Sequence, residues 1–155
     1  MDALEAIFTR RSIRHFTPQP VPQEMVETLL KAAMYAPSAG NAQPWHFVVL
    51  EERSILDEIP KFHPYAAMLH EALLAIIVCG DESLQKYPDR WPQDCSAATQ
   101  NMLLAAHALG LGAVWLGMYP NVERESQLRI LIHLPEGVYP LSIVALGYPA
   151  QQRQQ

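Results

Sequence analysis

With 155 residues, half of them apolar and 17% charged, the chain is long enough to bury a core as one domain over 1–155 and too apolar to be disordered. Its net charge of −5 excludes the basic face of a nucleic-acid binder but leaves room for a local anion pocket. Cys79 and Cys95 form no CxxC pair and no apolar run reaches bilayer length, which argues against a disulfide framework, a zinc site or a membrane span and for a soluble, cytoplasmic protein.

In chain order, Asp2 with Glu5 reads as an N-cap pair, and Leu4, Ile7 and Phe8 share the face of a first helix that ends near Thr9–Arg10. Pro22 suits the first position of a second helix, whose Val26, Leu29, Leu30 and Ala33 repeat at helical spacing. Pro37 stops it, because the residue before a proline avoids the helical region. His46–Leu50 reads as a buried strand, and Arg53–Glu58 and Tyr65–Glu71 as short helices. Leu73–Cys79, rich in β-branched residues and closed by Gly80-Asp81, is a central strand. Asp81–Pro92 reads as an exposed loop.

Asp94–Leu109 is the longest predicted helix. It is apolar on nearly every side and alanine-rich, so it is buried on more than one side. Gly110 caps it. A strand at Ala113–Leu116, a helix at Glu123–Ile132 and a strand at Leu141–Leu146 complete a mixed pattern that points to an α/β or α+β sandwich. The low charged fraction leaves apolar surface for a subunit interface.

Three segments could carry chemistry. Arg10, Arg11, Ser12 and Arg14 follow the first helix. Guanidinium is a planar, permanently charged fork that pairs with two phosphate oxygens at once, although cations also close helix C-termini without binding anything. The turn Ala36–Trp45 (APSAGNAQPW) presents Ser38, Asn41 and Gln43 between two prolines. Each amide offers a donor and an acceptor, the chemistry that reads the edge of a flat ring, and an Asx turn is the plainer alternative. Gly110–Gly117 (GLGAVWLG) is no dinucleotide fingerprint, because Trp115 stands where GxGxxG needs glycine and a helix here leads into a strand. It reads as a strand end whose backbone N–H groups at Leu116 and Gly117 can approach a ligand, or as a simple connection. The histidines form no metal site on spacing, and His107 reads as a core residue. No GxSxG, HExxH or Walker sequence occurs. Asp94 and Glu71 are too isolated for an acid–base pair.

RRSIRHF, APSAGNAQPWHFVVL, the alanine-rich helix leading to ALGLGAVWLG, and LPEGVYPLSIVALGYP together resemble the FMN-dependent nitroreductase family, in that family's order. The resemblance implies an α+β sandwich with a central, mainly antiparallel sheet flanked by helices, in an intertwined homodimer with FMN at the subunit interface. It implies that Arg10, Ser12 and Arg14, with Arg11 nearby, hold the phosphate and ribityl chain. Pro37, Ser38, Ala39, Asn41 and Gln43 would line the flavin from the other subunit, and Leu116 and Gly117 would approach its reactive edge. Arg153 is the candidate for a further phosphate contact. The implied activity is NAD(P)H-dependent reduction of nitroaromatics, quinones or similar electron-poor acceptors by ping-pong hydride transfer, with no catalytic side chain and no metal. Dehalogenation, enone reduction, flavin fragmentation and non-catalytic FMN binding are the alternatives. Larger members insert helices where this chain has only Asp81–Pro92, so Tyr87, Trp91 or Met68 are the candidates to cover the site.

Overall fold

In a computed structural model of the protein, residues 1–150 are described. Four strands, β1 (Trp45–Leu50), β2 (Leu74–Asp81), β3 (Gly112–Gly117) and β4 (Val138–Gly147), form one sheet in the order β1-β2-β4-β3. All the pairings are antiparallel. Helices α1 (Ala3–Thr9), α2 (Gln23–Met34), α3 (Arg53–Leu56), α4 (Trp91–Ala108) and α5 (Val122–Ile132) surround it. This is the α+β architecture expected from the sequence.

The alternation of a strand sorts side chains to two faces, and β2 shows it without a polar interruption. Ala75, Ile77 and Cys79 join a core with Leu56, Ile59 and Leu69 and, from α5, Leu128. Leu74, Ile76 and Val78 join a second core with Val26, Leu29 and Ala33 of α2 and Ala98, Met102 and Ala106 of α4. A strand covered on both sides must be apolar at every position, which explains why LLAIIVC carries no helical or alternating pattern.

Two glycines mark close approaches. A Cβ on Gly80 would lie 2.1 Å from the Trp91 ring, and one on Gly112 would lie 2.6 Å from Ile13 Cγ2. Trp91 therefore lies flat on β2, and the segment after α1 lies flat on β3.

Local rules account for the ends of elements. Asp2 Oδ1 accepts from Glu5 N–H at 2.9 Å, as the N-cap pattern requires. Gly110 takes a left-handed conformation (φ 82°) just beyond α4. Pro22 is the cap of α2 rather than its first helical residue. Tyr65–Glu71 does not form an α-helix: only a 3₁₀ turn at Ala67–His70 forms. The helix expected from Asp94 starts at Trp91, with Pro92 in its first turn, where its missing N–H costs nothing. His107 is the core histidine expected. Its Nε2 donates to Thr9 Oγ, which itself donates to the Glu5 carbonyl.

Candidate functional site

The segment after α1 is pulled onto the sheet by its one apolar residue. Ile13 is buried against Gly112, and its N–H donates to the Ala113 carbonyl at 3.0 Å. Further on, Thr17 N–H donates to Tyr148 O and Ala150 N–H to His15 O, so residues 12–17 are fixed along the β3 side. That places Arg14 and His15 at the mouth of a cleft of about 570 Å³, lined also by Tyr65, Met68, Glu71 and the strand Val114–Gly117. Its volume lies in the range of small-molecule and cofactor sites.

β3 is an edge strand, and its backbone forms one wall. In an antiparallel ladder the hydrogen-bonding groups of alternate residues face opposite sides. The Ala113 carbonyl faces outward to Ile13, whereas Met118 N–H faces inward to Leu141. Trp115 and Gly117 therefore present N–H and C=O outward, and Leu116 presents its own toward β4. A Cβ built on Gly117 would meet nothing within 4 Å, so a flat ring can approach that backbone. Of the two residues expected to offer their backbone, Leu116 and Gly117, only Gly117 faces outward, together with Trp115.

The opposite wall carries the polar groups. His15 Nδ1 lies 3.1 Å from Glu71 Oε2, a pair that joins two segments 56 residues apart. His63, buried beneath the cleft, accepts Tyr65 N–H at Nδ1 (3.2 Å) and reaches the Gly117 carbonyl with Nε2 (2.8 Å). Arg124 donates to that same carbonyl at 3.2 Å and lies 5.6 Å from the centre of the Tyr65 ring. Burial pushes the His63 pKa below its ordinary 6.5, with the positive Arg124 adding to the effect. No thiol competes as a nucleophile: burial pushes Cys79 up to about 12 and raises Cys95 as well.

The turn at 37–44 sits elsewhere. It leads into β1, the other edge of the sheet, separated from β3 by three strand spacings, roughly 14 Å. Gly40, Asn41 and Gln43 are all left-handed (φ 63°, 53° and 50°), a strained conformation for the latter two of the kind that concentrates at ligand-presenting loops. It is held by Ala39 N–H on Asp94 Oδ1 (3.0 Å), Gln43 N–H on Ser38 Oγ (3.0 Å) and Lys86 Nζ on the Gly40 carbonyl (2.8 Å).

Of the residues singled out from sequence, Arg14, Leu116 and Gly117 meet in the cleft. Ser12 bridges Ala113 beside it. Arg10 caps α1, and Arg11 donates to the Phe8 and Arg10 carbonyls. Pro37, Ser38, Ala39, Asn41 and Gln43 do not line it, and Arg153 lies outside the described residues. Met68 lines the cleft as one of the three candidate covers. Tyr87 instead packs against Gly40, and Trp91 lies between Gly80, Tyr119 and Tyr139. His15 and Tyr65 line the cleft without being expected there, and His63 has a place under it that its spacing did not suggest. His15 had one available signal, its place beside Arg14; the others come from strands and turns far apart in the chain.

The molecule is an α+β protein whose arginine-edged cleft lies against an open strand edge. Comparison with known proteins gives the class its family. The Nitroreductase family model matches residues 7–76 and 63–148, and the chain belongs to that family. It is 55% identical, over 97% of its length and 79% of the relative's, to the Methanothermobacter thermautotrophicus protein named "Putative NADH dehydrogenase/NAD(P)H nitroreductase". Among solved structures, an FMN-dependent nitroreductase from Clostridium difficile R20291 superposes with a TM-score of 0.90 at 26% identity, over 97% of this chain and 90% of that one. A Desulfovibrio desulfuricans protein in complex with FMN gives 0.87 at 35% identity, over 100% and 91%.

Proposed function

We propose that the chain is an NAD(P)H-dependent oxidoreductase that holds FMN in the β3-edge cleft and reduces electron-poor acceptors such as nitroaromatics or quinones. The observation that carries this reading is the join of Arg14 to the outward-facing β3 backbone across open space at Gly117. These features fit FMN. Arginine suits its phosphate or the negative charge of its reduced ring, outward amides suit ring nitrogens and oxygens, and the missing Cβ admits a plane.

Bound FMN supplies the hydride chemistry, accepting from the nicotinamide and donating to the acceptor. The chain's own work is placement and electrostatics. Arg10, Arg11 and Ser12, at the end of α1, bind the phosphate and ribityl chain, with Arg14 reaching into the cleft. The N–H groups of Trp115 and Gly117 orient the ring, and with Arg14 they favour negative charge there by fixed dipoles and charge. Met68 and Tyr65 exclude water from its side. Reductant and acceptor share one opening and so act in turn, giving ping-pong kinetics.

The turn carrying Ser38, Asn41 and Gln43 completes the site from a second copy of the chain. It presents Asn41 and Gln43, both exposed, on the edge opposite its own chain's cleft, whose lining includes neither. The exposed apolar residues Leu4, Ile7 and Phe8 of α1 supply a surface for that copy. The protein works in the cytoplasm in this reading, and no described helix is long and apolar enough to cross a membrane.

The test is direct. Purified protein is expected to take up FMN, turn yellow, and bleach with NADH or NADPH without oxygen; an acceptor then restores the colour. Failure to take up FMN on reconstitution overturns the assignment. Bound flavin that no nicotinamide reduces leaves binding without this activity.

A further inference from the structure

His63 is only 1% exposed, and no group of metal-ligating residues surrounds it among the described residues. Its bonding pattern fixes its tautomer. Nδ1 accepts the Tyr65 N–H at 3.2 Å, so the ring proton stands on Nε2, which donates to the Gly117 carbonyl at 2.8 Å. One imidazole thus ties the Tyr65 backbone on one wall of the cleft to the Gly117 backbone on the other.

Gly117 needs that tie. It is the last residue of β3 and has no side chain to pack, and beyond it the pairing with β4 narrows to the Leu141 carbonyl, which accepts from both Met118 and Tyr119 N–H. Glycine at such a place has wide freedom in φ and ψ. In an extended residue the N–H and C=O project to the same side of the strand. A donor on the Gly117 carbonyl therefore sets the direction of the Gly117 N–H as well. Arg124 donates to the same oxygen at 3.2 Å and lies over the Tyr65 ring, bracing the contact from α5.

We propose that His63 is a positioning residue, a neutral Nε2–H donor that spans the cleft and aims the Gly117 N–H at the bound ring. The inference rests on the FMN reading above. It assigns His63 no contact with substrate and no proton transfer.

Two variants and one spectroscopic measurement test it. His63→Leu keeps the bulk and removes both ring nitrogens; His63→Gln keeps a donor at the reach of Nε2. In His63→Leu the midpoint potential of bound FMN is expected to fall by the equivalent of a tenfold loss in preference for the reduced cofactor, about 30 mV for two electrons. His63→Gln is expected to recover most of that. An unchanged potential in His63→Leu overturns the proposal while FMN uptake leaves the functional reading standing. On the wild-type apoprotein, ring-nitrogen NMR is expected to show the Nε2–H tautomer at pH 7, and the Nδ1–H tautomer overturns the proposal. That measurement needs neither FMN nor a folded variant. If the wild type takes up no FMN, the functional reading fails, and the aim at a bound ring fails with it. The tautomer then separates that failure from a wrong account of the clamp.

Discussion

The two edges of the sheet are built in opposite ways. At the β3 edge the backbone is left open, with Trp115 and Gly117 facing outward over a cleft and the surrounding side chains tying that cleft's walls together. At the β1 edge the chain presents a turn instead. There a strained turn is pinned from behind by Asp94 and Lys86, and its side chains are held out. One edge lines a concave cleft, and the other carries a turn braced by its own hydrogen bonds. Under the proposed function, a complete site takes the β3 edge of one copy and the β1 edge of another, so that association and cofactor binding are one process.

The largest expected effect breaks the β1 side. Gly80→Ala places a Cβ 2.1 Å from the Trp91 ring. That ring is held edge-on by Tyr119 at 4.8 Å and stacked on Tyr139 at 5.9 Å, so it has no room to retreat. Overpacking of this kind is expected to cost about 3 kcal/mol, a fall in Tm of roughly 6–12 °C. Trp91 opens the helix whose Asp94 pins the turn, so FMN affinity is expected to fall with stability. Calorimetry and flavin titration measure the two, and an unchanged Tm contradicts the packing described.

Next comes the division between the edges. Arg14→Ala removes a charge-assisted contact worth roughly 1.5–3 kcal/mol, so FMN is expected to bind about ten- to a hundredfold more weakly. Asn41→Ala is expected to weaken FMN less, through loss of one neutral contact. The sharper experiment mixes the two variants. If the edges of different copies meet, a dimer with one subunit of each kind carries one intact site, and co-expression restores tight FMN uptake to a fraction of the protein. If both edges serve one chain's own FMN, mixing restores nothing.

Much of this organisation was legible in the sequence, for reasons tied to particular residues. Asp2 with Glu5 is a local rule, and the structure obeys it. Leu73–Cys79 reads as a central strand from its β-branched residues and the closing Gly80-Asp81, and the structure has a strand at Leu74–Asp81 buried on both faces. The arginine cluster and the polar turn were visible as chemistry, since guanidinium and carboxamide carry their function in their type. What stayed hidden was held by distant partners. Tyr65–Glu71 looked helical by composition, but only a 3₁₀ turn at Ala67–His70 forms. His63 bonds to a carbonyl 54 residues away, and no spacing announces such a bond. Which β3 amides face outward depends on register with β4 and Ile13, a parity that the string GLGAVWLG does not contain.

The smallest expected effect separates the edges by acid. At the β3 edge, burial and Arg124 hold the His63 pKa below 6.5. Between 6.5 and that lowered value the unfolded chain binds a proton that the native ring refuses, so native stability is complete above the window and falls as pH drops through it. Beside β1, Asp81 at the end of β2 is held below 3.8, first by the Ser83 hydroxyl and then by His46 of β1. Its contribution persists above that value and is lost only as pH falls through the lowered one. On acidification from pH 7 to pH 5, protection against hydrogen exchange is therefore expected to drop first around Tyr65 and Gly117 and to hold around Trp45 and Asp81. Rates corrected for intrinsic exchange make the comparison. An equal loss at both edges refutes the buried neutral histidine as the acid-sensitive element, whereas an earlier loss at the β3 edge shows the cleft side loosening while the turn side stays intact.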